Sequence, residues 1–106
     1  MVIVSQNGIV TIETLELSIE SQYNPIKDVY EYGLAFNMAK KQGYTQEYIL
    51  GVYDTEKRVQ EVQREIILTY QLSEMFKYAK DQSIQAILLD LFYKNKLQPF
   101  IYKMPN

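Results

Sequence analysis

The residues of this chain that could do acid–base chemistry are two pairs of carboxylates. Glu16 and Glu20 fall on the polar side of a run in which Leu15, Leu17 and Ile19 alternate with Glu16, Ser18 and Glu20, and Glu61 and Glu65 stand four apart in a helical stretch. Two carboxyl groups catalyse together when their surroundings push their pKa values apart, which requires a partly buried cleft. Both pairs are expected on solvated faces instead, Glu61 and Glu65 among Gln60, Gln63 and Arg64, because carboxylates are mostly surface groups. Histidine and cysteine are absent. That removes the imidazole base, the thiol nucleophile, thiolate metal sites and disulfides. Gly8, Gly33, Gly43 and Gly51 are isolated, so no glycine-rich phosphate cradle is formed, and no calcium-loop spacing of acids occurs. The expectation is a protein without catalytic residues, cofactor or metal, and so not an enzyme.

Tyrosine is the unusual feature, with ten in 106 residues and no tryptophan. A tyrosine joins a large apolar ring to a polar tip and is enriched where proteins bind one another. Tyr23, Tyr30, Tyr32, Tyr44, Tyr48 and Tyr53 cluster in the first half of the chain. On a helix, Tyr30, Leu34 and Met38 would line up four apart as a second apolar stripe, beside Val29, Tyr32 and Phe36 on the core side. The contact surface expected for a partner protein is therefore Tyr30, Leu34 and Met38, with Glu16 and Glu20 steering a basic partner. Two alternatives stay open: both stripes are core, or the second is the seam of a homodimer.

Net charge is −2 and unevenly placed: residues 1–39 sum to −4 and residues 40–106 to +2. Neither half is a basic face for duplex DNA or an acidic mimic of it. The stretch from Phe92 to Lys103 interleaves aromatics with Lys94, Lys96 and Lys103, a composition that suits stacking on single strands. Three cations are few and Phe92, Phe100 and Tyr102 are wanted for the core, so nucleic acid is not the expected partner. Met1 to Ser5 is too short for a signal peptide and no apolar run is long enough to span a membrane, so the cytoplasm is the expected location.

The elements that must position these residues read as one α+β domain over residues 1–106. Val2–Val4 and Ile9–Ile12 flank Ser5-Gln6-Asn7-Gly8, and Asn-Gly predicts a type I′ hairpin. A strand through Leu15–Glu20 follows. Asn24-Pro25 then reads as the cap and first residue of a helix over 25–42, closed by Lys40, Lys41 and Gly43. Glu47–Tyr53 is almost continuously apolar and predicts a central strand. Asp54 is expected to cap a long helix carrying Val59, Val62, Ile66 and Tyr70, with Ser73 and residues 81–83 as its natural interruptions. Ser83 is expected to cap a further helix with Ile84, Ile87, Leu88, Leu91 and Phe92 on one face. Phe100–Met104 makes a last strand. The order β-β-β-α-β-α-α-β predicts a small mixed or antiparallel sheet with helices packed on one face.

Three short segments also carry a resemblance. Val4-Ser5-Gln6-Asn7-Gly8, the run from Ile49 to Lys57, and the aromatic strand ending in Met104-Pro105 resemble, in the same order, segments of small proteins of unknown function found in prophages of Firmicutes. Residues 24–43, read here as a helix, are more often strand-like in that family, and residues 73–97 look like an added helical segment. The resemblance implies a phage or mobile-element origin. Small proteins of such elements often inhibit host defences, CRISPR effectors included, which makes a host defence nuclease the implied partner.

Overall fold

In a computed structural model, the chain is described at all positions but Thr14, Gln42 and Gly43, and for the backbone alone at residues 38–46. Eight elements follow one another: β1 (Val2–Val4), β2 (Ile9–Thr11), β3 (Leu17–Asn24), β4 (Val29–Lys41), β5 (Tyr44–Tyr53), α1 (Glu56–Tyr78), α2 (Gln82–Lys94) and β6 (Ile101–Lys103). The class is α+β, as the pattern predicts, with the order β-β-β-β-β-α-α-β. Two three-stranded sheets replace the single one expected. The first is mixed, in the order β2-β1-β6, with β1 antiparallel to β2 and parallel to β6. The second is an antiparallel meander, β3-β4-β5.

The largest departure from the sequence reading is β4, a strand where a helix over 25–42 was expected. Asn24 does cap free amides, as the reading required: its Oδ1 accepts from Ile26 N and Lys27 N at 3.0 and 3.3 Å. The capped segment is a four-residue turn, however. Asp28 takes φ 53°, a left-handed conformation that turns the chain back as a hairpin instead of continuing a helix. Beyond it the apolar period is two: Tyr30, Tyr32, Leu34 and Phe36 share one face, and Val29, Glu31, Gly33 and Ala35 the other. The glycine expected to close that helix, Gly43, lies outside the described residues.

Smaller corrections follow from local hydrogen bonding. The loop at residues 5–8 is not a type I′ turn, for Asn7 has no positive φ among the described residues. It is closed by Ser5, whose N donates to Gly8 O at 2.7 Å and whose Oγ accepts from Asn7 N at 3.2 Å. β5 is an edge strand, not a central one. Thr55, not Asp54, caps α1 by accepting from Arg58 N, and Asp81, not Ser83, caps α2 by accepting from Ser83 N. Hydrogen bonds from the Ser83 hydroxyl and amide hold the Asp81 carboxyl below its usual range. Ser73 does not interrupt α1. It is buried inside it, and its Oγ accepts from Phe100 N at 2.9 Å, which anchors the segment leading into β6.

One core joins the two sheets. Val59, Val62 and Ile66 of α1 are fully buried against Leu34, Phe36, Leu50 and Tyr53 of the meander and Ile3, Val10, Ile12, Tyr102 and Met104 at the mixed sheet. A bulge sets Leu50 and Gly51 opposite Leu34. The second half of α1 runs past this core and meets α2 in a separate small cluster of Leu72, Leu88 and Phe92. The chain is accordingly long and thin, 53 × 35 × 19 Å, with a radius of gyration of 15.7 Å against about 13 Å for a compact chain of this length.

Three segments converge on Gly51. Gln6 N donates to Leu50 O at 2.9 Å, Val52 N donates to Gln6 Oε1 at 2.9 Å, and Gln6 Nε2 donates to Pro105 O at 3.1 Å. Tyr53 Oη donates to the same Pro105 carbonyl at 2.8 Å. A Cβ on Gly51 would stand 3.0 Å from Gln6 Cδ and 3.1 Å from Met104 Cε, so the glycine lets the loop and the last strand close on β5. Residues 4–8, 49–57 and 100–105, which carry the sequence resemblance, thus contribute to one junction.

Candidate partner-binding surface

The far end of the meander is where apolar side chains meet solvent. α1 covers Leu34 and Phe36 but not the hairpin end of β3 and β4, so residues that continue the core-facing row emerge from beneath the helix. Tyr23 and Tyr30 are cross-strand partners in the register, with ring centroids 5.5 Å apart. They are 49% and 63% exposed, and Ile26 at the turn is 94% exposed. Val29, on the opposite face, is also exposed. The end is rigidly made: Tyr23 Oη donates to the Asp28 carboxylate, Asn24 Nδ2 donates to Glu31 at 3.0 Å, and Lys27 lies 3.7 Å from Glu31. Aromatic rings held on a braced turn make contact area at little cost in side-chain freedom.

The residues expected to make the contact surface are divided by this arrangement. Tyr30 is exposed at the hairpin end. Leu34 is fully buried in the core beneath α1, so it is withdrawn from the surface, because in a strand a residue four positions on is some 13 Å along the sheet and here reaches the helix. The Met38 side chain lies outside the described residues. Glu16 is exposed and Glu20 half-buried, both on the face of the meander away from α1. Glu47 of β5 joins them there. The nearness of its carboxyl to that of Glu20, with some burial and the repulsion of the second charge, raises the Glu20 pKa. This face is acidic, and Tyr30 looks out on the other side. Tyr23, Ile26 and Val29 escaped the sequence-based surface because a helix would have scattered them. The period-two run Tyr30-Tyr32-Leu34-Phe36 was the signal that could have gathered them.

The remaining candidates have structural partners. Glu61 pairs with Arg58 at 3.2 Å, and Glu65 accepts a hydrogen bond from Tyr102 Oη, so the two carboxylates do not act on a common point. Burial, then the Glu65 hydrogen bond, pushes the Tyr102 hydroxyl well above its usual range. A cleft of about 330 Å³ between α1 and β6 is lined by Arg58, Glu65, Lys96, Gln98, Tyr102 and Lys103. A neighbouring one of about 340 Å³ contains Asp54 and Thr55 and shares Arg58. Each is lined by a single acidic side chain, Glu65 in the first and Asp54 in the second. Of the C-terminal aromatics, Phe92 and Tyr102 are buried and Phe100 packs edge-on against Phe76, at 6.1 Å, while Lys94 pairs with Asp90 at 2.9 Å. Among the described residues no helix is long and apolar enough to cross a membrane, and no group of side chains is arranged to hold a metal.

No protein-family model, curated protein or solved structure matches this chain.

Proposed function

We propose that the protein is a non-enzymatic binding module of a phage or mobile element that captures a host protein, and that a defence nuclease such as a CRISPR effector is its target class. The observation that carries the binding reading is the braced hairpin end, with Tyr23, Ile26 and Tyr30 presented together to solvent. Exposed aromatic and branched side chains grouped at a projecting tip suit insertion into an apolar pocket. Glu16, Glu20 and Glu47 on the opposite face of the meander add a negative field that favours a basic partner. The phage assignment rests on the sequence resemblance, and the strand at residues 29–41 agrees with the strand-like character of those prophage proteins.

The test is affinity capture from lysates of a bacterial host, with and without its defence nucleases. The wild-type chain is compared with Ile26→Asp and Tyr30→Ser. Capture of a nuclease by the wild type, lost in both variants while circular dichroism is unchanged, supports the reading. Equal capture by the wild type and both variants removes the hairpin end from it. Capture of no protein in the presence of the nucleases removes the target class.

A further inference from the structure

The loop between β1 and β2 holds one peptide group that the fold leaves free. The groups on either side of it are tied. Asn7 N donates to Ser5 Oγ at 3.2 Å, and Gly8 O accepts from Ser5 N at 2.7 Å and from Ser5 Oγ at 2.8 Å. Between them, the Asn7 carbonyl and the Gly8 amide have no hydrogen-bond partner among the described residues, and neither has the Asn7 side chain. Both residues are exposed, and Gly8 is extended, with φ 158°. Asn24, Asn37 and Asn95 are placed differently. Asn24 precedes Pro25, whose nitrogen carries no proton, and its own amide donates to Glu31 at 3.0 Å. Asn37 is half-buried within the paired strand β4, with its Oδ1 enclosed. Asn95 donates to Leu91 O at 2.8 Å, and the next amide, Lys96 N, donates to Tyr93 O at 3.0 Å.

We propose that Asn7-Gly8 is a self-modifying site, at which the folded chain deamidates itself through a cyclic imide. Gly8 N gives its proton to solvent base and bonds to Asn7 Cγ. The Cγ–Nδ2 bond breaks, the nitrogen leaves as ammonia, and a five-membered succinimide closes. Water then opens the ring. Opening at the side-chain carbonyl leaves aspartate, and opening at the main-chain carbonyl leaves isoaspartate, in which the main chain is one atom longer. The attack needs the Asn7-Gly8 peptide to rotate and its amide to lose a proton, and an N–H held by an acceptor resists both. A free peptide between two fixed ones meets that need, and glycine puts no side chain in the path of approach. The position gives the reaction a consequence. The bond from Ser5 N to Gly8 O closes a short loop beside the pairing of Val4 with Ile9, and an added main-chain atom disturbs both. Gln6 ties the same loop to Leu50, Val52 and Pro105, so isoaspartate loosens the junction that joins the two sheets. The hairpin end takes no part, so the proposal stands apart from the proposed function.

The full-length chain tests it by ageing at pH 7 and pH 9, in buffer and in denaturing urea, followed by cleavage after glutamate and mass spectrometry. The fragment ending at Glu13 contains Asn7 as its single asparagine. The expected result is a mass gain of about 1 Da confined to that fragment, with ammonia released and the rate higher at pH 9. Isoaspartate appears in the fragment by enzymatic methylation, and the urea midpoint of the aged chain falls in step with its fraction. Asn7→Gln gains no mass, and Gly8→Ala gains it at least about ten-fold more slowly. Asn7→Asp keeps the midpoint of the fresh wild type, which separates the added charge from the added main-chain atom. Asn7→Gln keeps the result readable if Gly8→Ala, whose Cβ would stand 3.3 Å from Tyr48 Oη, fails to fold. A folded chain that reacts more than about a hundred-fold more slowly than the chain in urea overturns the proposal, since the fold then holds the peptide closed. So does earlier modification at Asn37 or Asn95, or a midpoint that falls equally in Asn7→Asp.

Discussion

Replacing Leu34 and Tyr30 separately by alanine asks whether the row that holds both is surface or core. The two side chains are four positions apart on one face of β4, but α1 covers only the first. Leu34 is fully buried beside Val59, Val62 and Ile66, and truncating such a leucine costs about 3 kcal/mol, transfer and cavity together. Tyr30 is mostly exposed and loses chiefly its contact with Tyr23, for which about 1 kcal/mol is the expected size. With a urea dependence of ~1.5 kcal/mol per molar for a domain of this size, Leu34→Ala lowers the unfolding midpoint by about 2 M and Tyr30→Ala by under 1 M. Equilibrium urea denaturation followed by circular dichroism reads both shifts. Equal shifts, or a Leu34→Ala loss below about 1 kcal/mol, would refute the placement of Leu34 under the helix.

Three further outcomes follow from the hydrogen bonds. Gln6→Ala removes the side-chain bonds to Val52 N and Pro105 O and is expected to cost about 1–2 kcal/mol in the same assay; Gly51→Ala then costs less in the Gln6→Ala background than alone, because the Gln6 amide no longer crowds the new Cβ and only Met104 Cε remains. Ser73→Ala leaves Phe100 N without its acceptor in a part-buried site, with an expected loss of about 1–2 kcal/mol and faster amide exchange at Phe100. Glu20→Gln concerns pH: a carboxyl whose folded pKa is raised favours the fold below its unfolded pKa, and that contribution is lost as pH rises through the folded value. The variant is therefore more stable than the wild type at pH 7, by ~0.3 kcal/mol for a pair that solvent reaches and screens, and equal to it at pH 3 by thermal denaturation.

The helices and most strands were legible because their signals are local. α1 and α2 carry apolar residues at 3.6-residue spacing, and β1, β2 and β6 are short apolar runs between turn residues. β4 was not legible by its opening, since Asn24 accepts from the same amides whether the next segment is a helix or a tight turn, and Asp28 alone decides between them. The contact surface was half legible. Tyr30 could be named from composition, but pairing it with Tyr23 across the hairpin needs the register, and the exposure of Ile26 needs the turn. The exposed side of α2 was hidden for another reason. Its sequence is that of a core helix, and which part of a broad apolar arc is covered depends on where α1 lies against it.

The parallel pairing of Val2–Val4 with Ile101–Lys103 also imposes an order on folding. The β3-β4-β5 meander closes through neighbouring hairpins and needs only local chain, so it forms early. The mixed sheet must wait for a strand nearly a hundred residues away, and until then β1 lacks its partner on one side. Val2 N and Met104 N, which donate to Phe100 O and Val4 O at 2.8 Å, are therefore the last amides to gain protection during refolding. During synthesis β1 is made well before β6 and is secured only after it, which leaves the β1 edge open to wrong pairing until β6 has been made.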